Sequence, residues 1–396
     1  MEPYLRKKGE GSTPPNRVLP WHFGSKAFLT LLSEYAELRH SLTRILSETM
    51  SITLRRRIIR ILLILLLLPP ILAGIAGWLV APGFLHPIRR ELTPDLIREA
   101  NASFAHSGGH REDFNVRAPD GILLRGWKVR SDHPNGNWVL LFHGVADNRV
   151  GVIGQSEFLL RAGYSVVMMD ARAHGTSEGQ LATYGWLERS DTKSIIDALL
   201  AQIRRRRTDV QVQPGYRPPE FLGDFPEQTP HPPPLPPTHI FALGESMGAG
   251  IALQSAAADP RIEAVAAEAS FATLREASYD YAGLRRSPLL GKTLFAPFSW
   301  MLLYRGEKLT GLPVAEVSPE KAVATRAFPV LLICDEKDEA LPCRHTQRIY
   351  TAARGPKQLW EVPGAFHTAA LGFQPAEFQR RVLDFFANVA QAKPVQ

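Results

Sequence analysis

From about Phe114 to the C-terminus, short apolar runs alternate with stretches patterned at helical spacing. Asn137–His143, Tyr164–Asp170, Thr238–Leu243, Ile262–Ala267, Val330–Cys334 and Gln358–Val362 are short and mostly apolar, which predicts strands. Gly121–Arg130 predicts a further strand belonging to an antiparallel start. Residues 152–163, 190–205, 247–258, 344–354 and 376–390 carry helical patterns between or after these runs. A strand that is apolar throughout is covered on both faces. The alternation of such strands with helices therefore predicts an α/β fold built on a mostly parallel, twisted sheet flanked by helices.

The N-terminal part follows a different pattern. Residues 61–81 read ILLILLLLPPILAGIAGWLVA, without a charged side chain. About 20 such residues cross a hydrocarbon core, and prolines such as Pro69 and Pro70 are tolerated there. A transmembrane anchor is expected over 58–83, after a basic tail over 1–57. The run is longer than a signal h-region, and Leu79-Val80-Ala81-Pro82 makes a poor cleavage site, so an anchor is favoured over a cleaved signal.

Charge supports this reading. The chain of 396 residues has a net charge of +7. Residues 1–60 hold 11 Lys/Arg against 5 Asp/Glu, so nearly all the excess lies beside the apolar run. The remainder is close to neutral and lacks the broad basic face that a nucleic acid needs, so no nucleic-acid partner is expected. Arg55, Arg56, Arg57 and Arg60 precede the run, and Arg89 and Arg90 follow it. The positive-inside rule then places the N-terminus in the cytoplasm and the larger part outside it, which is the periplasm if the cell is Gram-negative. Met50 opens Ser-Ile-Thr-Leu-Arg-Arg-Arg as a start would, which leaves open whether 1–49 is translated. If it is, Ala27–Leu46 is patterned as an amphipathic helix. Cys334 and Cys343 are too few for a disulfide framework and do not settle the redox compartment.

Residues 84–112 read as a linker with a short helix near Thr93–Ala105, and 113–392 as the globular domain. Two insertions interrupt its rhythm. Residues 208–237 are proline-rich and include PPPLPP, which fits a solvated polyproline-like surface segment, with a PxxP ligand for a partner domain as the alternative. Residues 271–312 concentrate aromatic and bulky apolar side chains and are expected to cap the site described next.

Gly244-Glu245-Ser246-Met247-Gly248 has the form G-x-S-x-G. It follows an apolar strand and precedes the helical Ala249–Ala258, the context of a nucleophile elbow. Gly244 and Gly248 leave room for the tight turn, and the helix N-terminus favours a developing negative charge near Ser246. A hydroxyl needs a base, and the base an acid that holds its tautomer. His367, in the loop after the last strand, is the expected base. Asp338, a few residues past Val330–Cys334, is the expected acid, with Asp335 and then Glu268 as alternatives. The order Ser, Asp, His is that of this arrangement. The oxyanion donors are expected at the N–H of Met247 and, after Phe142-His143-Gly144, at that of Val145. His143 reads as a residue ordering that loop, since it ends an early strand. No metal-spaced His/Cys cluster occurs, and neither metal nor organic cofactor is expected.

With these residues the sequence resembles the α/β-hydrolase superfamily from about Phe114 to Ala390. His143-Gly144 is similar to the family's oxyanion loop. Asp170-Ala171-Arg172-Ala173-His174-Gly175-Thr176-Ser177 is similar to its D-x-R-G-x-G-x-S turn, with Ala173 where glycine is usual. Tyr184-Gly185 and Glu188 with Asp191 fit the following segment. Asp335-Glu336-Lys337-Asp338 resembles its G-x-x-D acid loop, with Asp335 at the glycine. The branch resembled is that of membrane-linked α/β-hydrolase-domain proteins, near the serine aminopeptidase-like and prolyl-oligopeptidase-like hydrolases. The resemblance implies acyl transfer through an acyl-enzyme. The expected substrate is an ester of a small molecule or lipid near the membrane. Peptidase or amidase activity, and a non-catalytic binding scaffold, are the alternatives.

Overall fold

The structure is a computed structural model and describes residues 51–211, 238–283, 285 and 287–392. The tail over 1–49 and most of the proline-rich insertion therefore lie outside the described residues. The chain divides into two units, Met1–Leu67 and Leu68–Gln396. The described part of the first is the N-terminal half of helix α1, Ile52–Leu85. Its prolines Pro69, Pro70 and Pro82 do not end it, and it is long and apolar enough to cross a membrane.

The second unit is built on one sheet, of eight strands among the described residues. In chain order they are β1 (Gly109–Arg117), β2 (Leu123–Ser131), β3 (Trp138–Phe142), β4 (Ser165–Met169), β5 (Ile240–Glu245), β6 (Ile262–Glu268), β7 (Val330–Asp335) and β8 (Lys357–Val362). They lie in the order β1-β2-β4-β3-β5-β6-β7-β8. β1 and β2, and β2 and β4, pair antiparallel; all other neighbours pair parallel.

Alternate side chains of each strand enter opposite cores. Val139 and Leu141 of β3, Phe241 and Leu243 of β5, and Leu331 and Ile333 of β7 enter one. It is closed by Phe104 of α2 (Pro94–His106), Phe158 and Leu159 of α3 (Ile153–Arg161), and Phe378, Val382 and Phe386 of α12 (Pro375–Gln391). Leu140, Ala242, Val265 and Leu332 enter the other, closed by Ile196 and Leu199 of α4 (Glu188–Gln211), Ala252 and Leu253 of α5 (Met247–Ala258), and Ile349 of α10 (Arg344–Ala352). Small residues on α5 let it lie close on the sheet, which fixes where its N-terminus sits.

Residues 84–112 are more than the linker their composition suggests. Thr93 caps α2, its Oγ1 accepting from the Leu96 N–H at 3.3 Å. Phe104 is buried edge-on against Trp127, with ring centroids 5.8 Å apart, and β1 begins at Gly109. Between β6 and β7 lie α6 (Leu274–Ala282), α7 (Pro288–Lys292), α8 (Ala296–Thr310) and α9 (Pro319–Thr325). A third apolar cluster joins this region to the start of α5 and the loop after β7 through Met247, Ile251, Phe271, Leu274, Leu302 and Leu341, and it includes Ala81 of α1.

Candidate active site

β5 ends at Glu245 and α5 begins at Met247, so Ser246 alone makes the turn. It does so at φ 52°, ψ −118°, a strained conformation for a residue with a side chain. The strain is over-determined by packing. A methyl group on Gly244 would overlap the backbone of Gly248 and Ala249, and one on Gly248 would overlap the carbonyl of Phe142. These two glycines let β3, β5 and α5 converge beneath the serine. Its own N–H donates to the Glu268 carbonyl at 2.9 Å.

His367 lies in the loop after β8. Its Nε2 is 2.9 Å from Ser246 Oγ, and its Nδ1 is 2.6 Å from Asp338 Oδ2. Asp338 is buried, and its Oδ1 accepts from the N–H groups of Ala340 and Leu341, both at 2.8 Å. An ionised carboxylate can only accept, so Nδ1 carries the proton and Nε2 is left to accept from the serine hydroxyl. Asp338 is therefore the acid in contact with the imidazole. Asp335 Oδ2 accepts instead from the Thr368 N–H at 2.9 Å, and Glu268 Oε1 from the N–H of Ala370, the first residue of α11 (Ala370–Phe373), at 2.9 Å. Both bonds hold the loop that carries His367. A disulfide between Cys334 and Cys343, with Cα atoms 5.3 Å apart, closes the segment that carries Asp338.

Buried carboxyls collect behind the three residues. Burial pushes Asp335 up to about 6, aided by the charge of Asp338. Burial pushes Glu245 up to about 7, and burial with the charge of Asp335 holds Glu268 well above the usual carboxylate range.

Gly144 and Val145 follow β3, and a methyl group on Gly144 would lie 3.8 Å from Ser246 Cβ. Val145, Ser246 and Met247 line one cavity of about 460 Å³. His143 orders the loop, as its position suggests. It is buried, its Nε2 accepts from the Ala171 N–H at 3.0 Å, and its Nδ1–H donates to the Gly144 carbonyl at 2.7 Å. Burial lowers its pKa, consistent with that neutral tautomer. The turn after β4 is fixed by ion pairs whose partners are far apart in the sequence. Arg149 Nε and Nη2 bond Asp170 at 3.0 and 2.6 Å, and Arg172 Nε and Nη2 bond Asp191 at 2.7 and 2.6 Å. Arg149 carries no local signal in the sequence.

The walls of the cavity contain residues that sequence reading did not assign to the site. Val80 and Phe84 of α1, with Ile88 just after it, face Phe271, Leu274 and Tyr281. Phe84 stacks on Tyr184 at 4.9 Å, and the Tyr184 hydroxyl donates to the Phe84 carbonyl at 2.8 Å. Among the described residues, the lining contains no charged side chain.

A serine on a strand–helix elbow, bonded to a histidine in the loop after the last strand of a mostly parallel sheet, defines a serine hydrolase of the α/β-hydrolase fold. A family model described as X-Pro dipeptidyl-peptidase (S15 family) matches residues 98–296, just over half of the chain, and the chain belongs to that family. The chain is 25% identical to the uncharacterized protein YqkD of Bacillus subtilis over 279 residues, covering 70% of this chain and 79% of that one. It is also 25% identical to the uncharacterized protein YfhR of Escherichia coli K12 over 284 residues, covering 70% and 81%. Among solved structures, the Pyrococcus furiosus esterase Pf2001 superposes with a TM-score of 0.54 at 21% identity, over 77% of this chain and 99% of that one. It shares the fold.

Proposed function

We propose that the protein is a membrane-anchored serine esterase. In its reaction Ser246 attacks an ester carbonyl, His367 takes the serine proton, and Asp338 holds the imidazole. The observation that carries this reading is the continuous relay from Asp338 Oδ2 through His367 to Ser246 Oγ, at 2.6 and 2.9 Å, opening on an apolar cavity. The oxyanion of the tetrahedral intermediate rests on the N–H groups of Val145 and Met247. His367 then returns the proton to the departing alkoxide. Water, deprotonated by the same imidazole, releases the acid from the acyl-enzyme.

An ester fits better than the amino-terminal dipeptide that the family description suggests. A dipeptidyl-peptidase must hold a substrate ammonium group in the site, and a desolvated charge needs a partner. Among the described residues, the cavity lining supplies no carboxylate. The apolar helix supports anchoring, and the four arginines in its first turns, ahead of the apolar run, support a cytoplasmic N-terminus. The Cys334–Cys343 bond supports an oxidising compartment for the hydrolase domain.

Turnover of nitrophenyl butyrate, nitrophenyl palmitate and an Ala-Pro nitroanilide by the full chain tests this reading. It predicts ester hydrolysis that Ser246→Ala abolishes, with negligible release from the nitroanilide. A preference for the nitroanilide would replace the esterase with a peptidase.

A further inference from the structure

Helix α1 does not part from the hydrolase domain where its apolar run ends. Gly74, Gly77 and Ala81 are buried along one side of it. A methyl group on Gly77 would overlap the carbonyl of Phe298, and one on Gly74 would touch Met301 and Pro297 of α8. Small residues at this spacing let two helices approach closely in an apolar medium. The Arg305 guanidinium lies 4.8 Å over the Trp78 ring and also donates to the Trp78 carbonyl. At the end of the helix, the Ala182 N–H donates to the Leu85 carbonyl at 2.9 Å. The last three turns of α1 are thus a fixed part of the cap.

Two consequences follow. On α1, Ile71, Leu72, Ile75 and Leu79 remain exposed beside this joint. The cap, pressed against the same helix, exposes Leu289, Leu290, Leu294, Trp300 and Tyr304. Trp300 and Tyr304 lie on α8, the helix that packs against α1, and Trp and Tyr are the side chains suited to a membrane–water boundary. The cavity over Ser246 has Val80 and Phe84 of α1 as one wall and Phe298 and Leu302 of α8 as another.

We propose that the cap face sits in the leaflet beside α1 and that the cavity takes the acyl chain of an ester lipid directly from that leaflet. This rests on the reading of Ser246 as an esterase nucleophile and of α1 as a membrane span. The acyl chain passes between the apolar lining side chains of α1 and α8 to the serine without crossing water, and the polar end of the ester stays at the interface. The cleaved bond is the acyl carbon–oxygen bond; the acyl group goes to Ser246 and then to water.

The full chain in phosphatidylcholine vesicles provides the test, with two substrates measured side by side. One is a pyrenedecanoyl ester lipid dissolved in the bilayer, and the other is umbelliferyl butyrate in the aqueous phase. Leu289→Glu/Leu294→Glu places charges on the cap face, outside the cavity lining, and should lower the ratio of bilayer to aqueous turnover about 10-fold or more. A ratio within about twofold of the parent would overturn the proposal. An environment-sensitive thiol label gives a second readout that does not depend on catalysis. The natural cysteines are joined to each other, so Leu294→Cys and Asp384→Cys can each be labelled alone. Nitroxide lipids should quench the label at position 294 and spare the one at 384 on α12; equal quenching would contradict the seating. If the parent turns over neither ester, the esterase reading itself fails, and this proposal with it.

Discussion

Replacing Asp338 by asparagine changes one atom of the site and inverts the polarity of its hydrogen bonding. Asp338 Oδ1 is held by two N–H donors at 2.8 Å, from Ala340 and Leu341. In the Asp338→Asn protein the side-chain carbonyl must take that position, because an amide N–H₂ cannot accept them. The N–H₂ then faces His367 Nδ1, now 2.6 Å from the carboxylate oxygen. Nδ1 must accept, so the ring proton moves to Nε2, and the atom 2.9 Å from Ser246 Oγ becomes a donor. The base is lost although the shape is kept. The expected fall in kcat is about 10⁴-fold, equivalent to about 5 kcal/mol of transition-state stabilisation. KM should change little, because Asp338 does not line the cavity. Nitrophenyl butyrate hydrolysis, with circular dichroism to establish folding, measures this directly. A folded Asp338→Asn protein retaining more than about a tenth of parental kcat would refute the assignment. Asp335→Asn serves as the comparison. Its carboxylate holds the Thr368 N–H rather than the imidazole, so its loss should be far smaller.

Other expectations follow from the same geometry. Asp335 at about 6 and Glu245 at about 7 sit above their unfolded values. The stability they contribute is present at low pH and is lost as pH rises through about 6 and 7. Glu245→Gln should therefore raise Tm by about 2–4 °C near pH 8 and little near pH 5, as read by calorimetry. Equal shifts at both would contradict the burial of its charge. Removing the Cys334–Cys343 bond, which closes a loop of sequence separation 9, should cost about 2–3 kcal/mol in denaturant unfolding and lower kcat as Asp338 loosens. Gly248→Ala should yield little folded protein in a soluble-fraction assay, since its methyl group would meet the Phe142 carbonyl. Gly77→Leu should separate α1 from α8 and cut turnover of long-chain esters more than that of butyrate.

The sheet was legible where strands are apolar on both faces. The runs expected at Asn137–His143, Tyr164–Asp170 and Val330–Cys334 correspond to β3, β4 and β7 with ends displaced by a residue or so. β1 was not, because Gly-His-Arg-Glu-Asp-Phe-Asn-Val-Arg pairs on one side only and turns few apolar groups inward, chiefly Phe114 and Val116. Ser246 and His367 stand out because the elbow and the loop after the last strand leave local signals. Among Asp335, Asp338 and Glu268 the signal is weaker: the place of Asp338 a few residues past β7 favours it, and the loop geometry shows that it reaches the imidazole. The part of α1 in the cavity was hidden for a related reason. Val80 and Phe84 belong to an apolar run that a bilayer explains by itself, and the contact of Phe84 with Tyr184 spans 100 positions. A protein shortened to begin at Phe84 would lose Val80 and Gly83 from the cavity wall and the helix that holds Phe84 in place.

Labelling of the full chain in membranes by a fluorophosphonate, with Ser246→Ala and His367→Ala in parallel, tests the account most directly. It predicts a labelled parent, no label on Ser246→Ala, and labelling of His367→Ala slowed by about 10³-fold or more. A folded parent that takes no label, or a Ser246→Ala protein that labels as the parent does, would contradict an activated serine at the elbow.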